Sequence, residues 1–470
     1  MTDNVNKLDT FSKIIIIGIV LIALANAYLH DPNVGYDADD YAAYILSIAQ
    51  GNLPERGIND EFFTPPLPFV LPALIERIFH PTHSTLLKVA QFLNVLVALG
   101  SILTIARISN RLTNGNDTSR NLSLLFILIL PVFYKTHAFV RAEPYLVLFI
   151  LLYVEQLIRV ADEAVDLGSF AITSGSLFGA VMLSRQWGVL IVPGILLYAL
   201  LLFIQQAGRR RKLAGAFMLS GIIAFLLSSW FYLSLFSRYG SMTAFNRQSE
   251  GEFSLRNKPA SFYIGTGSGY LFTDPVRDSF DRQLLPILYS ETWGDYWEYF
   301  LVYGKDMQTG DPVQGGLLHL ALQKDDWNSS IRSNRYAINQ YLGRVNLVAL
   351  LPTAIAVASF TWGLAVLLRT GLAGQKEPAE LHITLLGAMI LSTLIGYLWF
   401  IVQYPTTDGD TIKATYILQI FPFIALLIGL FGKRLTSKWE WSYWIIAGVF
   451  LLTLVHNAGA LITRIYKFPL

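Results

Sequence analysis

The chain has 470 residues, of which 53% are hydrophobic and only 14% are charged. A soluble globular protein carries about 25% charged residues, so this composition excludes an ordinary soluble protein and predicts an integral membrane protein. The formal net charge of +2 gives no reason to expect nucleic acid as a partner. Because the chain has no cysteine, disulfides and cysteine-ligated metals are excluded.

Long apolar runs predict about eleven membrane-spanning helices, since a helix needs about 20 mostly apolar residues to cross the hydrocarbon core. The predicted spans are 11–29, 84–106, 121–136, 139–159, 168–184, 187–206, 213–237, 344–368, 381–403, 411–431 and 441–461. The first run could be a signal peptide, but it lacks a convincing cleavage site, so we interpret it as a retained helix. The predicted fold class is therefore an all-α, polytopic membrane protein.

Lysine and arginine residues in short loops predict the orientation of these helices. With the N-terminus inside, nearly every basic cluster outside the two large loops, including 209–212, falls on the inner side. The apolar stretch 65–79 would reverse the later helices if it crossed the membrane. Its short length, its prolines and the charges of Glu76 and Arg77 instead predict an interfacial or half-inserted helix.

This topology places two large loops on the outer face and divides the chain into three parts. The predicted parts are an N-terminal transmembrane module (1–237) that carries the first outer loop (30–83), a small extracytoplasmic cap (238–343), and the C-terminal transmembrane helices (344–470). We find no internal repeat and no separate soluble catalytic domain.

The first outer loop begins with Gly35-Tyr-Asp-Ala-Asp-Asp-Tyr41, which places three carboxylates just after a predicted span. Acids beside a bilayer bind a cation, pair with bases, or act on a substrate at the lipid surface. One of Asp37, Asp39 and Asp40 could cap the amphipathic helix that runs from Ala38 to Gln50. Three acids exceed what capping needs, so we expect at least one to be catalytic.

Further polar residues fall on the same predicted face as these aspartates. They are His137, Arg141, Glu143, Arg185, Gln186, Tyr404, Asp408, Asp410 and Lys413, with Glu291 in the cap. Ionisable groups at membrane depth usually face a cavity or one another, so their convergence predicts one site. Plainer interpretations remain open: an Arg141–Glu143 ion pair, interfacial anchoring by Arg185 and Lys413, and a core position in the cap for Glu291.

Acids and bases together at a lipid surface suit sugar transfer from a polyprenyl phosphate. A carboxylate can accept the proton of an attacking hydroxyl, and cations can stabilise the departing phosphate. The predicted bases are the three aspartates, and the predicted phosphate ligands are Arg185, Arg141, Lys413 and His137. The predicted substrate contacts are Gln186, Glu143, Tyr404, Asp410 and Glu291.

An acid at the head of the first outer loop, a surface helix that ends at Gly51, and then Thr64-Pro-Pro66 resemble the GT-C superfamily of integral membrane glycosyltransferases. The spacing from Asp37 to Tyr41 to Gly51 is similar to the Asp-Glu loop of the aminoarabinose and protein O-mannosyl transferases. Thr64-Pro-Pro-Leu67 and Ser184-Arg-Gln-Trp187 resemble segments of the dolichyl-phosphate-glucose glucosyltransferases. The resemblance covers the first half of the chain.

This resemblance implies an inverting transfer from a polyprenyl-phosphate sugar to a lipid- or glycan-linked acceptor, with the first-loop aspartate as base. That aspartate corresponds to Asp37. Because Asp-Ala-Asp-Asp replaces the usual Asp-Glu pair, Asp39 and Asp40 remain alternatives. The three acids could also hold Mg or Mn, and the sequence leaves this open. By class, the protein belongs in a prokaryotic plasma membrane, with its site facing outward, or in the endoplasmic reticulum.

Two other functions compete with this prediction. An O-antigen ligase or polymerase would use a polyprenyl-diphosphate donor and basic residues of the large loop, which here are Arg247, Arg256, Arg277, Arg282 and His319. A transporter or flippase would show paired halves and polar residues near the membrane midplane. Here the polar residues lie at one face.

Overall fold

The computed structural model describes residues 8–463, apart from 267–268, 278, 302, 306–311, 315–328, 374–377 and 407–408. Helices dominate this part of the chain, which confirms the predicted all-α class. They are α1 (Thr10–Leu29), α2 (Ala38–Ala49), α3 (Leu67–Phe79), α4 (His83–Thr113), α5 (Asp117–Leu128), α6 (Pro131–Ala138), α7 (Glu143–Ala161), α8 (Leu167–Ser184), α9 (Val192–Gln205), α10 (Arg210–Tyr239), α11 (Ala260–Ile264), α12 (Leu284–Trp293), α13 (Ser329–Ala373), α14 (Pro378–Gln403), α15 (Ile420–Thr436) and α16 (Trp441–Asn457).

Short elements complete the described structure. Tight 3₁₀ turns cover Gln186–Ile191, Leu255–Asn257, Tyr270–Phe272, Ala414–Ile417 and Ala458–Leu461. Two three-residue strands, β1 (Tyr303–Lys305) and β2 (Pro312–Gln314), pair antiparallel with Tyr303 opposite Gln314.

Nine helical segments in the described residues are long and apolar enough to cross a membrane, and a tenth span results if α5 and α6 are counted as one segment bent by 60°. The chain is therefore an integral, multi-pass membrane protein. The bend interrupts the predicted span 121–136 because Pro131 begins a new helix. The predicted span 411–431 becomes α-helical only at Ile420, since Gly409 has φ +79° and a 3₁₀ turn precedes the helix.

The stretch 65–79 forms α3, which has 13 residues. At about 1.5 Å per residue this helix is too short to cross the hydrocarbon core. It packs on α2 through aromatic rings, because the ring of Phe69 lies 5.3 Å from Tyr41 and 4.8 Å from Tyr44. The two short helices of the first loop therefore form one unit beside the spanning helices.

Successive spans alternate in direction, and this separates the charged residues into two ends of the bundle. One end of the bundle, called the site end below, is where α1 and α8 finish and α7 begins. At the opposite end, where α4 and α7 finish, lie ion pairs such as Arg107–Glu155 (3.0 Å) and Arg209–Glu163 (2.7 Å). Asp37 follows α1 at the site end. The basic clusters that predicted the inner side fall at the opposite end.

The described part of the cap is packed against the site end. Helix α12 and the residues after it bury Trp293, Tyr296, Trp297 and Phe300. The Asp295 carboxylate accepts hydrogen bonds from the backbone N–H groups of Phe300 (2.8 Å) and residue 301 (2.7 Å). These bonds fold the chain after α12 back onto the bundle.

Two glycines allow α8 and α10 to approach closely. A Cβ atom at Gly175 would lie 2.7 Å from the carbonyl oxygen of Ser220, and one at Gly179 would lie 3.0 Å from Cβ of Leu227. Close approach through small residues is the usual way for helices to associate in lipid. Ser174 and Ser220 add a hydroxyl hydrogen bond of 2.9 Å across the same contact.

We predict opposite effects for two Gly→Ala changes at this contact. Gly175→Ala should lower the thermal unfolding midpoint in detergent, because overpacking a close contact costs about 1–3 kcal/mol. Gly221→Ala is the matched control, since no atom lies within 4 Å of its added Cβ. The control should leave stability unchanged or raise it by up to about 1 kcal/mol through helix propensity. Equal midpoints for both variants would contradict the close approach of α8 and α10.

Candidate functional site

The segment after α1 gives Asp37 an unusual backbone conformation. Asp37 has φ 55° and occupies the N-cap position of α2, but its side chain makes no capping hydrogen bond. Gly35, two residues before Asp37, has φ +153°, and a Cβ atom at Gly35 would lie 3.2 Å from the Phe139 ring. The side chain of Asp37 is 31% exposed. Its carboxylate is therefore directed away from the helix and into a pocket.

The other two aspartates of the cluster lie elsewhere. Asp39 is exposed on α2. Asp40 accepts a hydrogen bond from the backbone N–H of Asp60 at 3.0 Å, and its carbonyl accepts one from Asn59 at 2.6 Å. Asp40 thus stabilises the following turn. Of the three aspartates, Asp37 alone lines the pocket described next.

This site pocket combines charged and aromatic side chains from separate parts of the chain. Its charged lining consists of Asp37, Glu61, Arg185, Arg247, Asp410 and Lys413, and its aromatic lining of Phe63, Trp187, Phe245, Phe400 and Tyr416. The first loop, the α8–α9 junction, the start of the cap and the chain after α14 all contribute. The structure therefore brings together Asp37, Arg185, Asp410 and Lys413, which the sequence predicted to converge.

A chain of alternating charges stabilises one wall of the pocket. Arg141 forms a two-pronged pair with Glu143, with Nε–Oε2 at 2.9 Å and Nη2–Oε1 at 2.8 Å. The same Glu143 lies 3.3 Å from Nε of Arg185, whose Nη1 donates to Glu61 at 2.7 Å and to Thr64. All four charged side chains are nearly fully buried. The Arg141–Glu143 pair of the plainer interpretation is present, as part of a longer network.

Asp410, Lys413 and Arg247 form a second cluster of charges in the pocket lining. Nζ of Lys413 lies 2.8 Å from Asp410, which also pairs with Arg247 at 2.7 Å. The ammonium lies 4.7 Å from the centre of the Tyr36 ring, a cation–π contact. Arg141 approaches Asp37 at 3.8 Å. Lys413 and Arg141 therefore both supply positive charge beside Tyr36 at the start of the first loop.

The two carboxyls of the first loop that line the pocket have opposite pKa shifts. Burial raises the pKa of Asp37, and the negative charges of Glu61 and Asp410 raise it further. The positive charges of Lys413 and Arg141 lower it, but the net shift is upward. Burial would also raise the pKa of Glu61, but the Arg185 charge and the hydrogen bonds from Thr64 and Arg185 outweigh it and lower that pKa. Environments that separate two carboxyl pKa values are a mark of acid–base assignment. Asp37 is the group suited to exchange a proton.

The remaining predicted residues make structural contacts or lie outside the pocket lining. Nε2 of Gln186 donates to the carbonyls of residues 63 (2.8 Å) and 243 (2.9 Å), which joins the first loop to the cap. Tyr404 packs against the aromatic wall, 5.2 Å from Phe245. His137 is buried, with Nδ1 bonded to the carbonyl of Phe133. Glu291 is buried on α12 of the cap and does not line the pocket. Asp408 and His319 lie outside the described residues.

Several residues in the pocket lining or directly behind it were missed by sequence reasoning. Glu61 lies three residues before Thr64, where the Thr-Pro-Pro motif drew attention but the acid did not. Tyr36 precedes the aspartate cluster, and Lys135 falls within a predicted span, where it could have been noted as a rare intramembrane charge. Arg247 was considered only under the ligase alternative. Their roles depend on pairing between distant segments, which the sequence does not show.

No group of three or more histidine, cysteine, aspartate or glutamate residues in the described part of the chain is arranged to hold a metal ion. Asp37, Asp39 and Asp40 diverge, since they face the pocket, solvent and the 59–60 turn respectively. Binding of Mg or Mn by these three acids therefore stays a prediction.

Solved structures that are similar to this chain include two of ArnT. No protein-family model matches the chain, and no curated protein matches it. The crystal structure of ArnT from Cupriavidus metallidurans bound to undecaprenyl phosphate is 13% identical, covers 96% of this chain and 76% of that chain, and gives a TM-score of 0.45. The crystal structure of ArnT in the apo state is 14% identical to this chain, and the match covers 89% of this chain and 76% of that chain. Its TM-score is 0.40.

Identities and TM-scores this low do not transfer a function. The function must therefore be inferred from the residues of the site itself.

We predict that Glu61→Gln destabilises the protein strongly. Glu61 is 6% exposed and partners the buried Arg185, and breaking a buried ion pair costs about 3–5 kcal/mol. Because the folded-state pKa of Glu61 is lowered, its stabilising contribution is complete above its ordinary pKa and is lost as the pH falls through the lowered value. The difference between wild type and variant in thermal unfolding should therefore shrink on acidification.

The matched control is Glu163→Gln, which removes a carboxylate from the exposed Arg209–Glu163 pair. An exposed pair contributes about 0–1 kcal/mol, so this variant should unfold close to wild type at every pH. Equal losses for Glu61→Gln and Glu163→Gln would contradict the buried network.

Proposed function

We propose that this protein is a membrane glycosyltransferase of the GT-C type. It transfers a sugar from a polyprenyl-phosphate donor to an acceptor hydroxyl at the extracytoplasmic face. The observation that supports this most strongly is the site pocket, in which Asp37 faces a set of cations at one end of the bundle.

Arg185, Lys413 and Arg247 are the proposed ligands of the donor phosphate. Each lines the pocket. Arginine binds phosphate through a planar fork, and lysine binds it as a compact charge. Arg141 does not line the pocket, so its proposed role is to position Asp37 and Glu143, not to bind phosphate directly.

Asp37 is the proposed general base. As the acceptor oxygen bonds to the anomeric carbon, its proton passes to the Asp37 carboxylate and the sugar–phosphate bond breaks. The bonding electrons leave with the phosphate, whose charge the cations stabilise. Attack from the face opposite the leaving group inverts the anomeric carbon. The raised pKa brings Asp37 closer to the operating pH, where a general base is most effective.

The aromatic wall is the proposed contact surface for the sugar ring and the first part of the lipid. Trp187 lies 4.4 Å from Phe400 and 5.2 Å from Tyr416, centre to centre, which forms a continuous apolar surface beside the charged wall. Aromatic faces bury large apolar area while leaving polar edges to bond. Asp410 fixes Lys413 and Arg247, and is therefore an indirect substrate contact.

The competing functions receive less support. Of the cap arginines that a ligase would use, Arg247 lines the pocket, whereas Arg277 lies over the ring of Trp297. A transporter would place its polar site near the midplane, but the ionic contacts described above lie at the two ends. A donor assay with mono- and diphosphate lipids separates the ligase from the proposed enzyme.

We predict that Asp37→Asn lowers sugar transfer about 10²–10⁴-fold, because the general base is lost. Asp39→Asn is the matched control and should keep wild-type activity, since Asp39 is exposed. Asp40→Asn should have a small effect through the turn that it stabilises. The measurement is transfer from labelled polyprenyl-phosphate sugars to acceptors in native membranes.

The pH dependence follows from the same assignment. A general base must be ionised, and the pKa of Asp37 is raised. The rate of wild type should therefore fall on acidification at a pH above that of an ordinary aspartate, and Asp37→Asn should lose this acid limb. Full transfer by Asp37→Asn would refute the base assignment.

We also predict that Lys413→Met weakens binding of undecaprenyl phosphate about tenfold or more, because a charge-assisted hydrogen bond to phosphate contributes about 1.5–3 kcal/mol. The matched control is Lys433→Met, at the opposite end, where Nζ donates to the carbonyl of residue 113. Tight binding by Lys433→Met and weak binding by Lys413→Met in native mass spectrometry is the expected result. Equal affinities would show that phosphate does not bind at Lys413.

A further inference from the structure

A fully buried charged cluster lies directly behind the site pocket and outside its lining. Lys135 of α6 and Glu291 of α12 form its centre, with Asp295 and the hydroxyl of Tyr36 at its edge. The side chains of Lys135, Glu291 and Asp295 are inaccessible to solvent, and Tyr36 is 3% exposed. None of these four residues lines the pocket, so the proposed transfer reaction leaves them without a role.

Lys135 joins the bundle to the cap through several bonds. Its Nζ donates to the Glu291 carboxylate at 2.6 Å, and to the carbonyls of Glu291 at 3.0 Å and Gly294 at 3.3 Å. The Asp295 carboxylate lies 4.0 Å away. Two of these acceptors are carbonyls at the end of α12. The lysine therefore caps the end of the cap helix and fixes it on α6.

The Glu291 carboxylate also accepts a hydrogen bond from the Tyr36 hydroxyl. The Tyr36 ring is held on its sides by Phe139 (5.5 Å) and Tyr299 (5.2 Å), both in edge contacts. The Tyr36 carbonyl accepts a hydrogen bond from Arg141 at 3.2 Å. Tyr36 is the residue immediately before Asp37, so every contact that fixes it also constrains the backbone of the base.

The Tyr36 ring is also a contact surface for the proposed phosphate ligand, because Nζ of Lys413 lies 4.7 Å from its centre. A tyrosine that is displaced would move both the base and this cation. The carboxylates at this anchor are incompletely hydrogen-bonded. One oxygen of Glu291 and one of Asp295 have no hydrogen-bond partner among the described residues. Burial raises the pKa of Glu291, and the charge of Asp295 raises it further. The charge of Lys135 lowers this pKa, but the net shift is upward.

We propose that Glu291, held by Lys135, is a positioning residue for the transfer reaction. It anchors Tyr36 from the cap side and thereby sets the relative position of Asp37 and Lys413. Docking of α12 on the bundle is thus required for a correctly arranged site. This inference rests on the proposed function and adds to it a link between the cap and the base.

The decisive variant is Tyr36→Phe, which removes only the hydroxyl that Glu291 anchors. Its matched control is Tyr134→Phe in α6, where a buried hydroxyl donates to the carbonyl of residue 128 at 2.9 Å, away from the pocket. Transfer is measured from pH 5 to 9 with labelled polyprenyl-phosphate sugars, together with undecaprenyl phosphate binding and thermal unfolding. Tyr36→Phe should lower kcat about 10–100-fold, as expected for misplaced catalytic groups, and should shift the acid limb of the pH profile.

A pair of variants at Glu291 tests the anchor separately from the Lys135 bonds to the cap backbone. Glu291→Gln keeps an oxygen that can accept hydrogen bonds from the Tyr36 hydroxyl and from Lys135, whereas Glu291→Leu removes that oxygen. If the anchor matters, Glu291→Gln should retain transfer and the wild-type pH profile, and Glu291→Leu should lose both. Equal transfer and equal pH profiles in the two variants would overturn the proposal, even if Tyr36→Phe does not fold.

The outcomes separate the two proposals. If wild type transfers sugar and Tyr36→Phe matches Tyr134→Phe in kcat and pH profile, the positioning role is wrong and the transferase assignment survives. If wild type transfers no sugar from any polyprenyl-phosphate donor, the proposed function fails and this inference fails with it.

Discussion

The pairing of Glu143 with two arginines is the interaction on which the site depends. Buried charges are tolerated only when other charges and hydrogen bonds compensate them. Glu143 begins α7, Arg185 follows α8, and Glu61 belongs to the first loop, so satisfying these charges requires all three segments to meet at one end of the bundle. The apolar helices define the scaffold, and this ionic chain determines how the first loop is seated on it.

Two carboxylates of the same loop acquire different properties from this arrangement. Glu61 receives hydrogen bonds from Arg185, Thr64 and Tyr41, which hold it ionised. Within the described part of the chain Asp37 has no such set of donors, and the Arg141 guanidinium lies 3.8 Å from its carboxylate. A carboxylate that is fully bonded stabilises structure, whereas one that is incompletely bonded can accept a proton. The division of roles therefore follows from hydrogen bonding, not from residue type.

The sequence predicted the spanning helices well because an apolar run of about 20 residues is a local property. It also predicted that the polar residues converge, since alternating helices return them to one end. It did not show which aspartate faces the pocket, because that depends on the positive φ of Asp37 and on the turn held by Asp40. Glu61 and Lys135 were missed for a related reason: their partners, Arg185 and Glu291, are more than 100 residues distant.

The site is assembled from the first loop, the α8–α9 junction, the chain after α14 and the cap, so no single segment contains it. The ionic contacts at the opposite end, such as Arg107–Glu155, fix the bundle independently of the site. Alternating access needs one half of a protein to move against the other around a central site. Here charge pairing at both ends connects the helices to one another, and the Lys135–Glu291 bond adds the cap. A scaffold connected in this way favours chemistry at a fixed site over transport.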